Sequence, residues 1–155
     1  MIKFKVCKQL DAYCGPATLK IVFDYLGLVK SQEEWAKLAG ATHEEGMQND
    51  GLFKAIKAVG YSYKFFKVSS FEDIKKFLDK KIPVIVVWWT GQWGHYSVVA
   101  DISQKTIILA DPSIGQFKRI NLKRFDHLWF DFAQDYERKP EDLELRTFIA
   151  VLPKK

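Results

Sequence analysis

Hydrophobic positions recur at helical spacing through the first half of the chain and change to alternation and unbroken apolar runs in the second. Gly15-Pro16 opens a helix, since proline is tolerated in a first turn whose N–H groups need no intrahelical partner. Gly27 closes it after Ile21, Val22, Tyr25 and Leu26. Ser31-x-x-Glu34 is a capping box for a second helix that carries Trp35, Leu38 and Ala39 and stops at Gly40. A third helix is predicted from about Asp50 to Gly60, with Leu52, Ile56 and Val59 on one face. A fourth, from Ser70 to Asp79, buries Phe71, Ile74, Phe77 and Leu78. Between them Tyr61, Tyr63 and Phe65 alternate as a short strand.

The run from Ile82 to Trp89 is β-branched and aromatic, with its proline near the start, and predicts a strand buried on both faces. His95 to Ile102 and Thr106 to Ala110 follow as strands joined by Ser103-Gln104-Lys105, so short connections imply an antiparallel meander. Leu122 to Trp129 has a helix-like pattern, Lys139 to Asp142 is a polar loop, and Thr147 to Leu152 is a closing strand. The expected fold class is α+β, with N-terminal helices packed on a C-terminal antiparallel sheet. No repeat or Pro/Gly/Ser-rich linker divides the 155 residues, so one domain over 1–155 is expected.

Composition narrows the function. The net charge of +5 comes from lysines scattered at spacings that suit wet helix faces, and no nucleic-acid-binding signature accompanies it; nucleic acid is not an expected partner. The first residues lack a secretory apolar core, and the longest apolar stretch, Ile82 to Trp89, is far short of a membrane span. The expected location is cytoplasmic, without membrane insertion. Two cysteines, Cys7 and Cys14, are too few for a disulfide framework and lack zinc-knuckle spacing, which leaves a free, working thiol as the leading reading.

Cys14 stands at the mouth of the first helix, where unpaired N–H groups and the helix dipole favour an anion and hence the nucleophilic thiolate. A small buried hydrophobe is the competing reading of that cysteine, about equally weighted on local context. Cys7, among charged residues, is taken as an incidental thiol. A thiol hydrolase needs a base, and His95, after Gly94 at the start of a strand, is placed to supply it; His43 and His127 are better explained as ordinary histidines. The next strand ends at Asp111, before Pro112, where a neighbouring antiparallel strand brings a carboxylate to the second ring nitrogen of His95. Asp-Pro is also a common turn opener, so Asp111 gains its meaning from the pairing. Gln9 lies upstream, with a side-chain amide suited to an oxyanion together with the Cys14 backbone N–H. Trp88, Trp89 and Trp93 are candidate walls of a cleft, with core packing expected to claim at least two of them.

In order, these elements are Gln9, then Cys14-Gly15-Pro16-Ala17 at a helix start, then Gly94-His95-Tyr96-Ser97-Val98-Val99, then Asp111-Pro112-Ser113-x-Gly115. The order resembles the C39-like, bacteriocin-processing branch of papain-fold cysteine peptidases over nearly the whole chain. Two departures are visible: the family usually has one more residue between glutamine and cysteine, and Tyr13 stands where many members have aspartate. The resemblance implies a papain-like fold with Cys14 as nucleophile, His95 as general base and then acid, Asp111 orienting His95, and Gln9 in the oxyanion hole. It implies a peptide or protein substrate and no cofactor or metal. Transporter-linked members cut leader peptides after a double glycine and are fused to an exporter; here a separate exporter is the corresponding partner. Two alternatives remain open at this stage: an acyl or peptidyl transferase of the phytochelatin-synthase-like type, and a catalytically silent peptide-binding domain.

Overall fold

The computed structural model describes residues 1–132 and 138–154. Four helices are spread through the first half: α1 (Cys14–Tyr25), α2 (Gln32–Ala39), α3 (Asn49–Ala58) and α4 (Phe71–Leu78), with strand β1 (Ser62–Phe66) between the last two. The second half supplies β2 (Val84–Trp89), β3 (Gly94–Ile102), β4 (Thr106–Asp111), β5 (Gln116–Asn121), helix α5 (Leu122–Leu128), the short strands β6 (Phe130–Phe132) and β7 (Leu143–Leu145), and β8 (Phe148–Leu152). The α+β expectation holds.

Local chemistry explains the element boundaries. The capping box on α2 forms as expected: Ser31 Oγ accepts from the Glu34 N–H, and Glu34 Oε2 accepts from the Ser31 N–H at 2.7 Å. Gly40 then ends the helix in the left-handed conformation, at φ 69°. Helix α4 carries a second capping box, Ser70 with Asp73. Helix α1 differs, because Tyr13 caps it without any side-chain bond, which leaves its first N–H groups facing the space around Cys14.

The main sheet has the order β1-β8-β2-β3-β4-β5, antiparallel throughout. The predicted meander is present as β2 to β5, and β8 is inserted between β1 and β2 rather than added at an edge. Strand β2 is buried along almost its whole length, as its apolar run requires. Three strands were not foreseen. Strand β5 is a half-wet edge strand, Gln-Phe-Lys-Arg-Ile-Asn, whose charges mask its alternation; edge strands commonly carry such residues. Strands β6 and β7 are three residues each and pair only with one another. The expected polar loop contains a 3-10 turn, Pro140–Asp142, whose Asp142 is buried and accepts from the N–H groups of Arg138 and Lys139.

The core lies between α1 to α3 and the sheet and continues under α4 and α5. Helix α1 rests on β3, and Leu19, Ile21, Val22 and Phe23 are fully buried. Phe23 stacks on Trp35 of α2 at 4.6 Å between ring centroids and meets the edge of Tyr61 at 5.0 Å. This contact fixes α1 along its axis and so sets where its N-terminus meets the sheet. Phe23→Ala should cost about 3–5 kcal/mol in a urea unfolding series, because the cavity it leaves is walled by large rings that cannot collapse into it.

Candidate active site

Three sequence-predicted residues meet where the N-terminus of α1 abuts the start of β3 and the end of β4. The register explains the meeting. Val98 of β3 opposes Ala110 of β4, so Asp111 falls opposite Ser97, and His95 is the diagonal neighbour on the same face. The His95 Nε2–H donates to Asp111 Oδ1 at 2.7 Å, with the histidine 3% exposed and the aspartate fully buried. Nε2 being committed, Nδ1 is the ring nitrogen left for Cys14, which lines the same cavity and is among the groups that raise the His95 pKa. Trp88, directly across the ladder from His95, sets its indole edge against the imidazole at 5.6 Å and donates its N–H to Ser97 Oγ at 3.1 Å.

Electrostatics follow from this burial. Burial alone would strip the proton from His95, but its bonds to Asp111 and Cys14 and their charges outweigh that and hold its pKa up at about 9. Burial would likewise push the Asp111 carboxyl up; the His95 bond and charge, with the Ser113 N–H and hydroxyl on Oδ1 at 3.0 and 2.9 Å, instead hold it below its ordinary range. Asp111 Oδ2 is buried without a partner among the described residues. Cys7 is a separate matter: half-buried against α1, its thiol is pushed up by burial, in keeping with an incidental role.

The segment before Cys14 is tied down at Lys8, Gln9, Leu10, Asp11 and Tyr13. The Gln9 N–H donates to Pro112 O at 2.8 Å, coupling it to the turn that follows Asp111. Gly115 closes that turn at φ 69°, and a Cβ there would press on the Lys8 backbone. Gln32 of α2 donates to Lys8 O at 2.8 Å and accepts from the Leu10 N–H at 2.9 Å. His43 contacts Asp11 O through Nδ1 at 2.8 Å and Glu33 through Nε2 at 3.1 Å, and its ring stacks on Tyr13 at 4.0 Å. Tyr13 in turn donates to Glu33 at 3.1 Å. These ties sustain a left-handed Ala12, at φ 60° two residues before Cys14, a conformation costing roughly 1–2 kcal/mol for a residue with a Cβ. Gln9 thereby reaches the hollow beside Cys14, where its amide oxygen is buried and unpaired among the described residues.

Around this centre lies a cavity of about 780 Å³, lined by Cys14, His95 and Gln9, by the stretch from Glu44 to Asp50, and by Trp89, Trp93, Asp131 and Glu144 among others. A more open hollow of about 620 Å³ adjoins it and shares Gln9, Trp93 and His95. Core packing claims Trp88, but not two of the three tryptophans as expected. Trp89 is half-buried on the cavity wall against Phe130 and Phe132, and Trp93 is 62% exposed at the rim.

The peptidase C39 family model matches residues 3–139. The chain belongs to that family. An uncharacterized protein of Methanothermobacter marburgensis is 33% identical over 120 residues, covering 77% of each chain. Among solved structures, the peptidase domain of Streptococcus ComA, a bifunctional ABC transporter involved in a quorum sensing pathway, matches with a TM-score of 0.71 at 25% identity, over 96% of this chain and 98% of its own. A double glycine motif protease from an AMS/PCAT transporter, solved in complex with the leader peptide, matches with a TM-score of 0.70 at 21% identity, over 97% and 93%. Family and fold support a cysteine peptidase. No described helix is long and apolar enough to cross a membrane.

Sequence reasoning overlooked several cavity residues of this C39 chain. Asn49 accepts from the Tyr96 hydroxyl at 2.5 Å and donates to Glu144 at 3.4 Å, and burial pushes the Tyr96 hydroxyl well up, so that it stays a donor. Asp131 and Glu144 come from β6 and β7, which carry no strong strand signal, and His43 gave no sign of its stack with Tyr13. The raised pKa of His95 makes a signed prediction. Protonation of His95 stabilises the fold fully below its ordinary value near 6.5, and that contribution is lost as pH rises through about 9. NMR of the imidazole should therefore show His95 titrating near 9 in the wild type and lower in Asp111→Asn; an unshifted wild-type histidine would contradict the pairing.

Proposed function

We propose that the protein hydrolyses a peptide bond by acyl transfer, with Cys14 as nucleophile, His95 as base and acid, and Asp111 as the group that orients His95. The single observation that carries this reading is the convergence of Cys14, at a helix mouth, with the buried, hydrogen-bonded pair His95 and Asp111, where Cys14 and His95 line one cavity of about 780 Å³. In the first half-reaction the Cys14 sulfur adds to the carbonyl carbon, and the tetrahedral oxyanion takes hydrogen bonds from the Cys14 backbone N–H and the Gln9 carboxamide. The C–N bond then breaks, the His95 proton goes to the leaving amine, and a thioester remains. In the second, His95 removes a proton from water, the hydroxide adds to the thioester, and the thiolate leaves with the acid product released. Asp111 keeps Nε2 protonated throughout, so that Nδ1 faces the chemistry.

The substrate we assign is a peptide or protein segment, and a leader-type peptide is favoured by the structural likeness to a transporter protease solved with one bound. A separate exporter would be its partner. Two free thiols fit a reducing, cytoplasmic setting.

Cys14→Ala should lower turnover of a peptide library by about three orders of magnitude or more while leaving circular dichroism and thermal stability near wild type. Iodoacetamide should label Cys14 faster than Cys7 below pH 7, and His95→Ala should remove that advantage. Peptide cleavage retained by purified Cys14→Ala would refute the assignment. Mass analysis of products with and without an added amine separates hydrolysis from transfer.

A further inference from the structure

The wall of the cavity has a charge opposite to that of the protein. The chain carries +5 overall, yet Glu44, Glu45, Asp50, Asp131 and Glu144 all line the space that opens on Cys14, and none of the described lining residues is a lysine or arginine. The adjoining hollow differs, with Lys8 and Lys118 set against the single carboxylate of Asp11 on its wall. Charge therefore changes sign across the residues that the two spaces share.

Among the carboxylates on the cavity wall, Asp131 packs beside the strand start that carries His95. It lies against Gly94, the residue before His95, so closely that a Cβ on Gly94 would run into its carboxylate. Its hydrogen bond among the described residues is local, from the Phe132 N–H to Oδ1 at 2.8 Å, and no described cation forms an ion pair with it. Glu144 is better provided for, with Asn49 at 3.4 Å and the half-exposed Lys67 at 3.7 Å. Burial, reinforced by the charge of Glu144, pushes the Asp131 carboxyl up to about 6 even against the Phe132 bond. A partly buried carboxylate with no cation is a cost to the folded state. A ligand that brings the missing positive charge removes that cost, and the π-faces of Trp89 and Trp93 on the same cavity suit the same kind of group.

We propose that Asp131, assisted by Glu144, is a specificity-determining residue that receives an ammonium or guanidinium group carried by the substrate close to the bond attacked by Cys14. This rests on the cavity being the substrate cleft, as proposed above. The group belongs to a basic side chain of the peptide, and the acidic stretch from Glu44 to Asp50 draws in further positive charge from the same segment.

The test does not depend on finding the natural substrate. Full-length wild type, Asp131→Asn and Glu144→Gln are treated with two alkyl thiosulfonates of similar size, one bearing trimethylammonium and the other sulfonate, and modification of Cys14 is followed by peptide mapping with Cys7 as the internal reference. The cation-to-anion rate ratio at Cys14 should exceed that at Cys7 by roughly tenfold, as expected for one unscreened charge a few ångströms away. It should fall several-fold in Asp131→Asn and by less, in the same direction, in Glu144→Gln. The exposed Asp79→Asn, which removes the same net charge far from the cavity, should leave the ratio unchanged. A ratio that Asp131→Asn does not move, or that Asp79→Asn moves equally, overturns the proposal. Matched peptides with lysine or norleucine at successive positions then supply the second readout: the lysine preference in kcat/KM should shrink towards unity in Asp131→Asn, and equal cleavage of both series by the wild type overturns it. Should no peptide be cut while the reagent ratio behaves as expected, the peptidase reading fails and the charge preference of the cavity stands.

Discussion

A histidine almost sealed from water and holding a proton against a fully buried aspartate is the constraint around which the other parts of the site are arranged. Such a pair repays the desolvation of its two partners only when the geometry is held tightly and further hydrogen bonds support it; here they all fall on Asp111 Oδ1, and Oδ2 has no partner among the described residues. The sheet provides the rigidity. The pairing of β3 with β4 fixes the diagonal between His95 and Asp111, while Ser113, on the turn after β4, adds two hydrogen bonds to the same oxygen. With Nε2 held in this way, the imidazole has one orientation, and the mouth of α1 has to arrive opposite Nδ1. The packing of Phe23 against Trp35 and Tyr61 sets the axial position of that helix. The sheet and the helical layer thus meet at the site because each is anchored deep in the core.

Between these two anchored bodies runs the segment from Lys8 to Tyr13, which has no regular structure of its own. Its ties reach both sides: Gln9 to Pro112 on the sheet, and Lys8 and Leu10 to Gln32 on α2. The His43 ring, held on Asp11 and Glu33, supports Tyr13 from beneath. Each bond is modest alone, worth about 1 kcal/mol net. Together they offset the strained Ala12 and hold Gln9 on the wall of the cavity that Cys14 also lines, where the proposed function would use its amide. Tyr13, at the position where many family members carry aspartate, thus has a structural reason: its ring and hydroxyl engage two residues of the helical layer that a short carboxylate would not reach.

What was legible in the sequence follows a physical division. Helices α1 and α2 announce themselves through Pro16, Gly27, Gly40 and the Ser31 cap, α4 through the spacing of Phe71, Ile74, Phe77 and Leu78, and β2 through an unbroken apolar run, because in each the local chemistry and the tertiary burial agree. Cys14, His95 and Asp111 were legible only together, from their order along the chain, since each sits at an element boundary that has an ordinary reading on its own. Strand β5 was missed because its lysine and arginine suit a wet edge and erase the alternation. The β6–β7 pair was missed because three residues cannot display a period. Trp89 and Trp93 line the cavity as candidate cleft walls should, and only the expectation that the core would claim two of the three tryptophans failed, because aromatic content does not say whether the covering surface is core or cleft.

The division extends to function. Cys14, His95 and Asp111, the residues proposed to react, stand on a helix mouth, a strand start and a strand end, so their positions are inherited from α1 and the sheet. The cavity wall instead comes from the connection between α2 and α3 and from the short β6–β7 pair, which contribute Glu44, Glu45, Asp131 and Glu144. Such segments are held by few long-range contacts, so their side chains vary with little consequence for the core. Asp131 is where the two meet, because its carboxylate fills the space that Gly94 leaves open directly before His95. The glycine that frees the start of β3 therefore does more than let the strand begin: by lacking a side chain it admits a charge from a distant hairpin to the edge of the reacting centre. A common chemical scaffold can in this way acquire a preference for substrate charge without moving any of the groups that perform the reaction.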